Sequence, residues 1–421
     1  MANFSSNGNF LSRWKNYPQA GGLPSEVKDK VNWGRVAIEV LLYFSLVSRI
    51  FGHQLGVLRI PQLSGAMIVG AAVACVVIMI SQREPFPVTL VFAVLINFIA
   101  NVHDFYFIEK FTRQLTYWVC FLLMACYIVR DRRAAFRFAC FLGGAVLLSV
   151  VMGATFVGIE EGQVRLALEG DVAGSMFANP NALAQVAYVT ATALLFISLR
   201  AKLLSRLVCW VMALSLGAVV LLTLSRQGLF LLALGVFFFL LASLKGWKGK
   251  LGLVVFVVLI GASTVIFSDQ VADIVRGYEY RLNLESGRLF FWETAFHDMK
   301  ETLIAGKGYF GGYTSTGFKP HNTFLWLHLA YGGICAWLYV SWLGYLIFKT
   351  WDKVRSKNVA WEVKMEMLAF LSLFLFGQIV TIFAPGNLGY ILGVALLEKR
   401  MIPHDKLEIP AHSSLEPQGT V

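Results

Sequence analysis

Long uninterrupted runs of apolar residues are the feature that most limits what this chain can fold into. The runs are 17 to 25 residues long, which is the length a helix needs to cross about 30 Å of hydrocarbon. A soluble domain has roughly 25% charged residues, whereas this chain has 14% charged and 57% hydrophobic residues. The pattern excludes a soluble globular protein and predicts an all-α polytopic membrane protein.

Apolar runs separated by polar breaks predict about twelve transmembrane helices. The third, which contains Asn97, and the twelfth, which begins just after Pro385, could instead be re-entrant segments. Residues 1–34 are polar, so we expect no cleavable signal sequence there. The predicted spans are 35–52, 63–80, 86–101, 112–129, 136–157, 181–199, 207–224, 228–244, 251–267, 322–348, 366–383 and 386–398.

The distribution of Lys and Arg predicts which side of the membrane each loop faces, because basic loops stay in the cytoplasm. With residues 1–34 as a cytoplasmic tail, the inner segments carry 24 basic residues and the short outer loops carry five. Both termini are then cytoplasmic, and residues 399–421 form the C-terminal tail. The net charge of +11 follows from this topology, so we expect no nucleic-acid partner.

One predicted outer segment is too long to be a simple connection. Residues 268–320 form a 53-residue loop between helices 9 and 10, and they divide the spans into 35–267 and 321–398. Long loops in compact proteins are usually functional, so we expect the chemistry to lie here. No disulfide framework is predicted for the loop, because all six cysteines fall in or at apolar spans: Cys75, Cys120, Cys126, Cys140, Cys209 and Cys335.

Arg226 interrupts an apolar stretch that otherwise runs over residues 207–244, at the predicted outer interface. It stands between Ser225 and Gln227, and Gly228 would let a second helix begin at once. One interpretation is an arginine that reaches lipid headgroups. The other is a guanidinium that binds an anion at the tip of a tight helical hairpin.

Arg288 lies in the long loop, where Ser286 is a plausible N-cap for a helix that runs to about Thr302. A cation in a first helical turn opposes the helix dipole unless an anion is shared. Helix amides and a guanidinium together form a phosphate-binding site. An ion pair with Glu285 or Glu293 explains Arg288 equally well.

His321 follows Pro320 and precedes Asn322 at the start of the tenth span. A histidine at a helix start is more often structural than catalytic. Here its position beside the long loop, at the outer membrane surface, suits a general base with a pKa near 6.5.

Residues 306–313 form a loop rich in glycine and aromatic residues. Its glycines predict a turn with positive φ. The alternative is a flexible loop that lines one side of a binding site for a sugar or phosphate.

For the other polar residues in the outer loops, the sequence predicts structural roles rather than metal binding or catalysis. The acidic residues before the sixth span show no metal-binding spacing, and the pairs His103-Asp104 and His297-Asp298 lack a partner motif. Asn179-Pro180-Asn181 predicts the start of the sixth span. No metal site is therefore predicted; the acids concerned are Glu160, Glu161, Glu169 and Asp171.

Together these motifs resemble the O-antigen ligase and polymerase superfamily of bacterial envelope glycosyltransferases. The resemblance covers most of the chain and depends on the order of several short matches. They are Phe-Ala-Asn-Pro-Asn-Ala at 177–182, Leu-Ser-Arg-Gln-Gly at 224–228, the long outer loop with Arg288 and Trp292, and Pro320-His321-Asn322 followed by Gly332 and Gly333.

The resemblance implies a GT-C-like membrane glycosyltransferase that works in the bacterial inner membrane without a metal or other cofactor. A ligase of this family transfers an O-antigen glycan from undecaprenyl diphosphate to the lipid A core at the periplasmic face. By resemblance, Arg226 and Arg288 bind the donor diphosphate and His321 is the catalytic histidine. Asn181, Trp292 and Asn322 match positions that could support them.

Two alternatives stay open. Cys335 stands where family ligases have Gly, Thr or Tyr, so a polymerase that joins lipid-linked repeats is the second candidate. A transporter or flippase is the non-enzyme candidate, and it would be favoured by charges near the centres of spans. The sequence shows few such charges and few paired broken helices: the candidates are the charged Glu39 near the start of the first span, and the charged Glu366 and the neutral Gln378 toward the eleventh.

Overall fold

A computed structural model describes most of the predicted membrane domain. The described residues are 33–55, 61–107, 112–159, 163–168, 180–244, 288–308, 314–317, 320, 322–380 and 388–401. The predicted ninth span at 251–267 and both predicted terminal tails lie outside these ranges, apart from the short pieces 33–34 and 399–401.

The described chain is almost entirely helical. In chain order the elements are α1 Trp33–Leu55, α2 Pro61–Ser81, α3 Val88–Phe107, α4 Thr112–Ile128, α5 Arg132–Gly153, β1 Ala154–Ile159, β2 Gln163–Leu168, α6 Pro180–Ser198, α7 Leu203–Leu222, α8 Arg226–Ser243, α9 Arg288–Asp298, a 3-10 turn Met299–Thr302, α10 Thr323–Tyr331, α11 Gly333–Arg355, α12 Trp361–Val380 and α13 Leu388–Met401. A helix therefore covers each predicted span that falls within the described ranges.

The third predicted span is a regular helix within the described region. Its asparagines find partners inside the bundle, since Asn101 Nδ2 donates to Asn97 O at 2.7 Å and Thr116 Oγ1 donates to Asn97 Oδ1 at 3.3 Å. These bonds explain how α3 continues past two polar residues to Phe107. The helix is longer than the prediction, which ended at residue 101.

Two predicted spans differ from the structure. The fifth was expected to continue to residue 157, but α5 ends at Gly153 and the chain turns into an antiparallel hairpin in which Ala154 pairs with Leu168. The tenth was expected to be one helix over 322–348, but it breaks at Gly332, which has a φ of 88°. Among the described residues the predicted helical fold class is confirmed apart from this hairpin, where apolar strand residues continue the apolar pattern of the helix.

Apolar side chains cover the outside of the bundle as well as its core. On α2 alone Val73, Val77 and Ile80 are exposed, and an exposed apolar belt of this kind suits lipid rather than water. Three helices within the described ranges are long and apolar enough to cross a membrane: Arg132–Gly153, Pro180–Ser198 and Leu203–Leu222. The apolar surface and these helices indicate a membrane protein.

Ion pairs gather at one end of the bundle, which we call the basal end. Arg35 and Arg130 both pair with Glu84, and Arg137 pairs with Glu39 at 2.6 Å. All of these residues belong to helix ends and loops that the charge pattern puts on one side of the membrane. The fold thus brings together segments that were predicted to share a side, and the break at Gly332 lies toward the opposite end.

Candidate functional site

Arg226 is the first residue of α8. The Oγ atom of Ser225 caps this helix by accepting a hydrogen bond from Gly228 N at 3.2 Å, which satisfies one of the free amides of the first turn. Just before the cap, Leu224 has a φ of 47°, a region that non-glycine residues rarely adopt. The turn between α7 and α8 is therefore held in a costly conformation directly beside Arg226.

Gly228 has a different role from the predicted one. The helix already begins two residues earlier, so Gly228 is not needed to start it. A Cβ atom at this position would lie 3.0 Å from Ala184 Cβ on α6, closer than side chains normally pack. The glycine therefore allows α8 to approach α6 closely. On the same helix, Gln227 Nε2 donates to Gly377 O of α12 at 3.2 Å.

Arg288 is likewise the first residue of a helix, α9. The predicted helix to about Thr302 agrees with α9 and the 3-10 turn that follows it. The side chains of Arg226 and Arg288 and the whole of residues 285 and 286 lie outside the described part of the chain, and so does the predicted ion pair of Arg288.

Trp292 joins α9 to the segment that leads into α10. Its Nε1 atom donates a hydrogen bond of 2.7 Å to Pro320 O. Below this bond, Ala295 of α9 packs with Leu325 and Leu329 of α10 in a small buried apolar cluster. The indole thus fixes the distance between α9 and the residue that directly precedes His321.

Asn322 caps α10. Its Oδ1 atom accepts from Leu325 N at 3.2 Å, and its own backbone is extended with φ −140° and ψ 127°. The predicted catalytic residue His321 lies outside the described residues. Its two neighbours are nevertheless fixed, Pro320 by the indole of Trp292 and Asn322 by the helix that it caps.

The loop after α9 packs tightly on the break between α10 and α11. Lys307 N donates to Leu329 O and Gly308 N donates to Ala330 O, at 2.8 and 2.9 Å, so the loop satisfies carbonyls at the end of α10. Gly308 has a φ of 85°, which confirms the positive φ predicted for this loop. Residues 309–313 of the same loop lie outside the described ranges.

A small cavity of about 50 Å³ lies against the first turns of α10. Trp326 and Leu327 of α10 line it, and α3, α4, α11 and α13 supply the other walls, among them Tyr339 and Tyr390. The exposed lining is almost wholly apolar. Trp326 is one helical turn after Asn322, so this space begins next to the candidate site and is suited to an apolar chain rather than to a sugar.

The remaining predicted residues have structural surroundings or are not described. Pro180 is the first residue of α6, as predicted, and Asn181 next to it is exposed. Asp298 is buried and its Oδ2 atom accepts from Ser315 N at 2.6 Å, whereas His297 is exposed. The side chains of His103 and Asp104 are outside the described part, as are Glu160, Glu161, Glu169 and Asp171.

The sequence analysis did not predict the structural role of Asp298, which holds the loop after α9 through its hydrogen bond from Ser315 N. It also missed Leu224, whose positive φ shapes the turn before Arg226. No local signal marks either residue, because a leucine in an apolar run and an aspartate in a polar loop are both ordinary. The glycines of loop 306–308 were the available signal for close packing on α10.

The described fold defines a helical membrane protein in which Arg226 and Arg288 each begin a helix and an apolar cavity is lined by the first turns of α10. Residues 208–340 match a protein-family model described as O-antigen ligase. This segment is about a third of the chain, and its match confirms the resemblance to the O-antigen ligase superfamily that the sequence showed. No curated protein matches the chain significantly.

The matched segment contains Arg226, Arg288, Trp292, His321 and Asn322, and it leaves out Asn181. It begins in α7, includes the long loop, and ends in α11. The match supports a ligase-type or polymerase-type enzymatic role on glycans, in a membrane protein.

Proposed function

We propose that this protein is an O-antigen ligase of the bacterial inner membrane. It transfers an O-antigen polysaccharide from undecaprenyl diphosphate to the lipid A core at the periplasmic face, where the loop 268–320 lies. The observation that carries the proposal is the hydrogen bond from Trp292 to Pro320 O. It ties α9, which begins at Arg288, to the residue before His321.

The donor diphosphate needs countercharge, because it leaves as an anion when the anomeric carbon–oxygen bond breaks. Arg226 and Arg288 are the proposed diphosphate ligands. Both begin a helix, where free backbone amides add to the attraction for an anion. Position 288 is four residues before Trp292, so it lies on the same face of α9 as the residue that contacts Pro320.

The acceptor hydroxyl is a poor nucleophile, and His321 is the proposed base that removes its proton. Base catalysis of this kind contributes about 10²–10⁴-fold. The hydroxyl oxygen attacks the anomeric carbon, the new glycosidic bond forms, and undecaprenyl diphosphate departs with the electron pair. A single displacement inverts the anomeric configuration. No divalent cation takes part, since the arginines supply the positive charge.

The apolar cavity beneath α10 supports a lipid-linked donor. Its almost wholly apolar lining suits a segment of a polyprenyl chain rather than a sugar. The first lining residues, Trp326 and Leu327, are within about one helical turn of Asn322. A chain held there leaves its diphosphate near the starts of α8, α9 and α10.

Alanine variants of the three proposed residues test the site. We expect Arg226→Ala, Arg288→Ala and His321→Ala each to lower transfer at least about 10²-fold at equal protein level. Lys300→Ala, an exposed cation just after α9, is the matched control and should retain transfer. Near wild-type transfer by Arg288→Ala would reject the diphosphate clamp.

Two further measurements test the chemistry of the proposal. Transfer should survive a chelator, and a loss that a divalent ion restores would reject the metal-free mechanism. A pH profile of kcat should lose its acidic limb in the His321→Ala variant. If that variant keeps both the rate and the limb, histidine is not the base.

A polymerase remains the second candidate, because Cys335 is buried at the position where family ligases have Gly, Thr or Tyr. Analysis of the product distinguishes the two: glycan on lipid A core indicates a ligase, and lengthened lipid-linked repeats indicate a polymerase. The buried carboxylates weigh against a transporter, since Glu39 and Glu366 pair with arginines near helix ends rather than at midspan.

A further inference from the structure

Four cations surround one buried carboxylate at the basal end of the bundle. Glu366 at the start of α12 is 4% exposed. Its Oε2 atom lies 3.0 Å from Arg200 Nη1 and 2.8 Å from Arg400 Nη2. Arg132 and Lys399 are near enough to interact electrostatically with the same two arginines. We call Arg132, Arg200, Lys399 and Arg400 the four-cation cluster.

The four-cation cluster carries more positive charge than its carboxylates neutralise. Among the described residues, Glu366 and Asp131 are the acidic groups that interact with Lys399, and four cations against these two carboxylates leave a net charge of +2. Asp131 also forms a hydrogen bond outside the cluster, because its Oδ1 atom accepts from Ala134 N at 2.6 Å. The Nε atom of Arg400 is buried without a hydrogen-bond partner among the described residues.

Part of the cluster is open to a ligand. Arg132 is exposed, and the side chains of Arg200 and Arg400 are 29% and 18% exposed. The cations come from the start of α5, the turn between α6 and α7, and the end of α13. They therefore come together from the ends of several helices rather than forming a row along one helix.

The surroundings favour a membrane lipid over a soluble anion. Directly after Arg200, Leu203 and Leu204 begin α7 with 72% and 76% of their surface exposed, and such apolar residues beside cations are typical of the level of lipid headgroups. A phosphodiester there can accept charge-assisted hydrogen bonds from guanidinium groups while its acyl chains lie along the apolar outer surface of α7.

We propose that the four-cation cluster is a binding site for the headgroup phosphate of an anionic phospholipid. The site is at the end of the bundle away from the candidate active site, and it does not depend on the proposed glycan transfer. A lipid bound there links α5, the α6–α7 turn and α13 at their ends. It acts as a structural ligand of the fold.

Thermal unfolding of the delipidated full-length protein in a non-ionic detergent tests this proposal. Phosphatidylglycerol should raise the unfolding midpoint with a saturable dose dependence, and phosphatidylcholine should not. In the double variant Arg132→Gln/Lys399→Gln the apparent Kd should rise about 30-fold, since each cation near a lipid surface contributes on the order of 1 kcal/mol. The exposed neighbour Arg133 supplies the matched control, Arg133→Gln, with a change below about threefold.

Several results would overturn the lipid site. They are equal stabilisation by phosphatidylcholine, an unchanged Kd in the double variant, or an equal loss in Arg133→Gln. Glycerol phosphate at the same concentration serves as the soluble comparison, and an equal shift with it would assign the cluster to a free anion. If the double variant does not fold, Lys399→Gln alone decides, with an expected increase of about fivefold in the Kd.

Discussion

Trp292 is the residue on which the geometry of the candidate site depends most. Its indole is half-buried between α9 and α10, and its one polar atom is used in the 2.7 Å bond to Pro320 O. A buried N–H of this kind would cost free energy if it were left unpaired. The bond therefore selects one spacing between α9 and the Pro320-His321-Asn322 segment.

Trp292→Phe should lower glycan transfer about tenfold, because it removes one hydrogen bond of roughly 1–1.5 kcal/mol while keeping an aromatic ring. The folded fraction should change little. Trp351→Phe, at an exposed position on α11, is the matched control. If Trp292 positions the site, Trp292→Phe should lower kcat and leave the acidic limb of the pH profile unchanged. Transfer by Trp292→Phe equal to that by Trp351→Phe would contradict this role.

The helix caps show how elements set the site. Ser225 and Asn322 each accept from an amide of the helix they begin, and Arg226 and His321 are their direct neighbours in sequence. Ser225→Ala should cost about 1 kcal/mol of stability and reduce transfer, whereas Ser225→Asp should restore both, since aspartate also caps. Unfolding midpoints and transfer rates measured together check this, and a normal rate in Ser225→Ala would separate the cap from the site.

The break between α10 and α11 leads to a prediction about glycine substitutions. Gly332 has a φ of 88°, and a Cβ atom there would lie 2.1 Å from Ile304 O. Gly332→Ala should therefore reduce stability strongly or prevent folding. At Gly344, inside α11, a Cβ atom would meet nothing within 4 Å, so Gly344→Ala should stabilise by about 0.5–1 kcal/mol. If the unfolding midpoint falls equally in both variants, the break at Gly332 does not need a glycine, and this prediction is wrong.

Much of the element pattern was predictable from the sequence, because the apolar runs and the basic loops are local signals. Helices cover every predicted span within the described ranges. The break at Gly332 was not predictable, because the apolar residues on both sides continue one helical pattern and the constraint comes from the distant Ile304 carbonyl. Likewise, Trp292 was matched by resemblance, but its partner Pro320 is 28 residues away.

At the scale of the whole molecule, buried ion pairs hold the basal end together. Glu366 of α12 binds cations from the α6–α7 turn and from α13, so one carboxylate connects three parts of the bundle. The sequence analysis identified Glu366 only as a charged residue in the eleventh predicted span, because its partners Arg200 and Arg400 are far from it in sequence. In the candidate active site, by contrast, Arg226 and Arg288 each begin a helix.

Glu366→Gln should lower the free energy of unfolding by about 3 kcal/mol or more, because breaking a buried pair leaves uncompensated buried charge. Glu301→Gln removes the acidic partner of Lys307 in a pair whose side chains are 65% and 44% exposed, and such pairs contribute about 0–1 kcal/mol. Chemical or thermal unfolding of both variants tests the contrast. Equal small losses would show that Glu366 is dispensable.

Lys399, which follows the last predicted span, makes the basal end sensitive to pH. Burial and the nearby Arg400 lower the pKa of Lys399 to about 8, below its ordinary value near 10.5; Arg200 also lowers it, while Glu366 and Asp131 oppose them. Between these two pKa values the unfolded chain binds more protons than the folded chain. The contribution of Lys399 to stability therefore rises as pH increases from about 8 to 10.5.

Lys399→Met should consequently be more stable than the wild type at pH 7 in a non-ionic detergent, and this advantage should shrink by pH 10. Lys349→Met, at an exposed position on α11, is the control and should change the unfolding midpoint little. An advantage of the same size at both pH values would show that the gain comes from packing rather than from charge. Phosphatidylglycerol should abolish the advantage at pH 7, because a bound phosphate stabilises the ammonium that Met lacks.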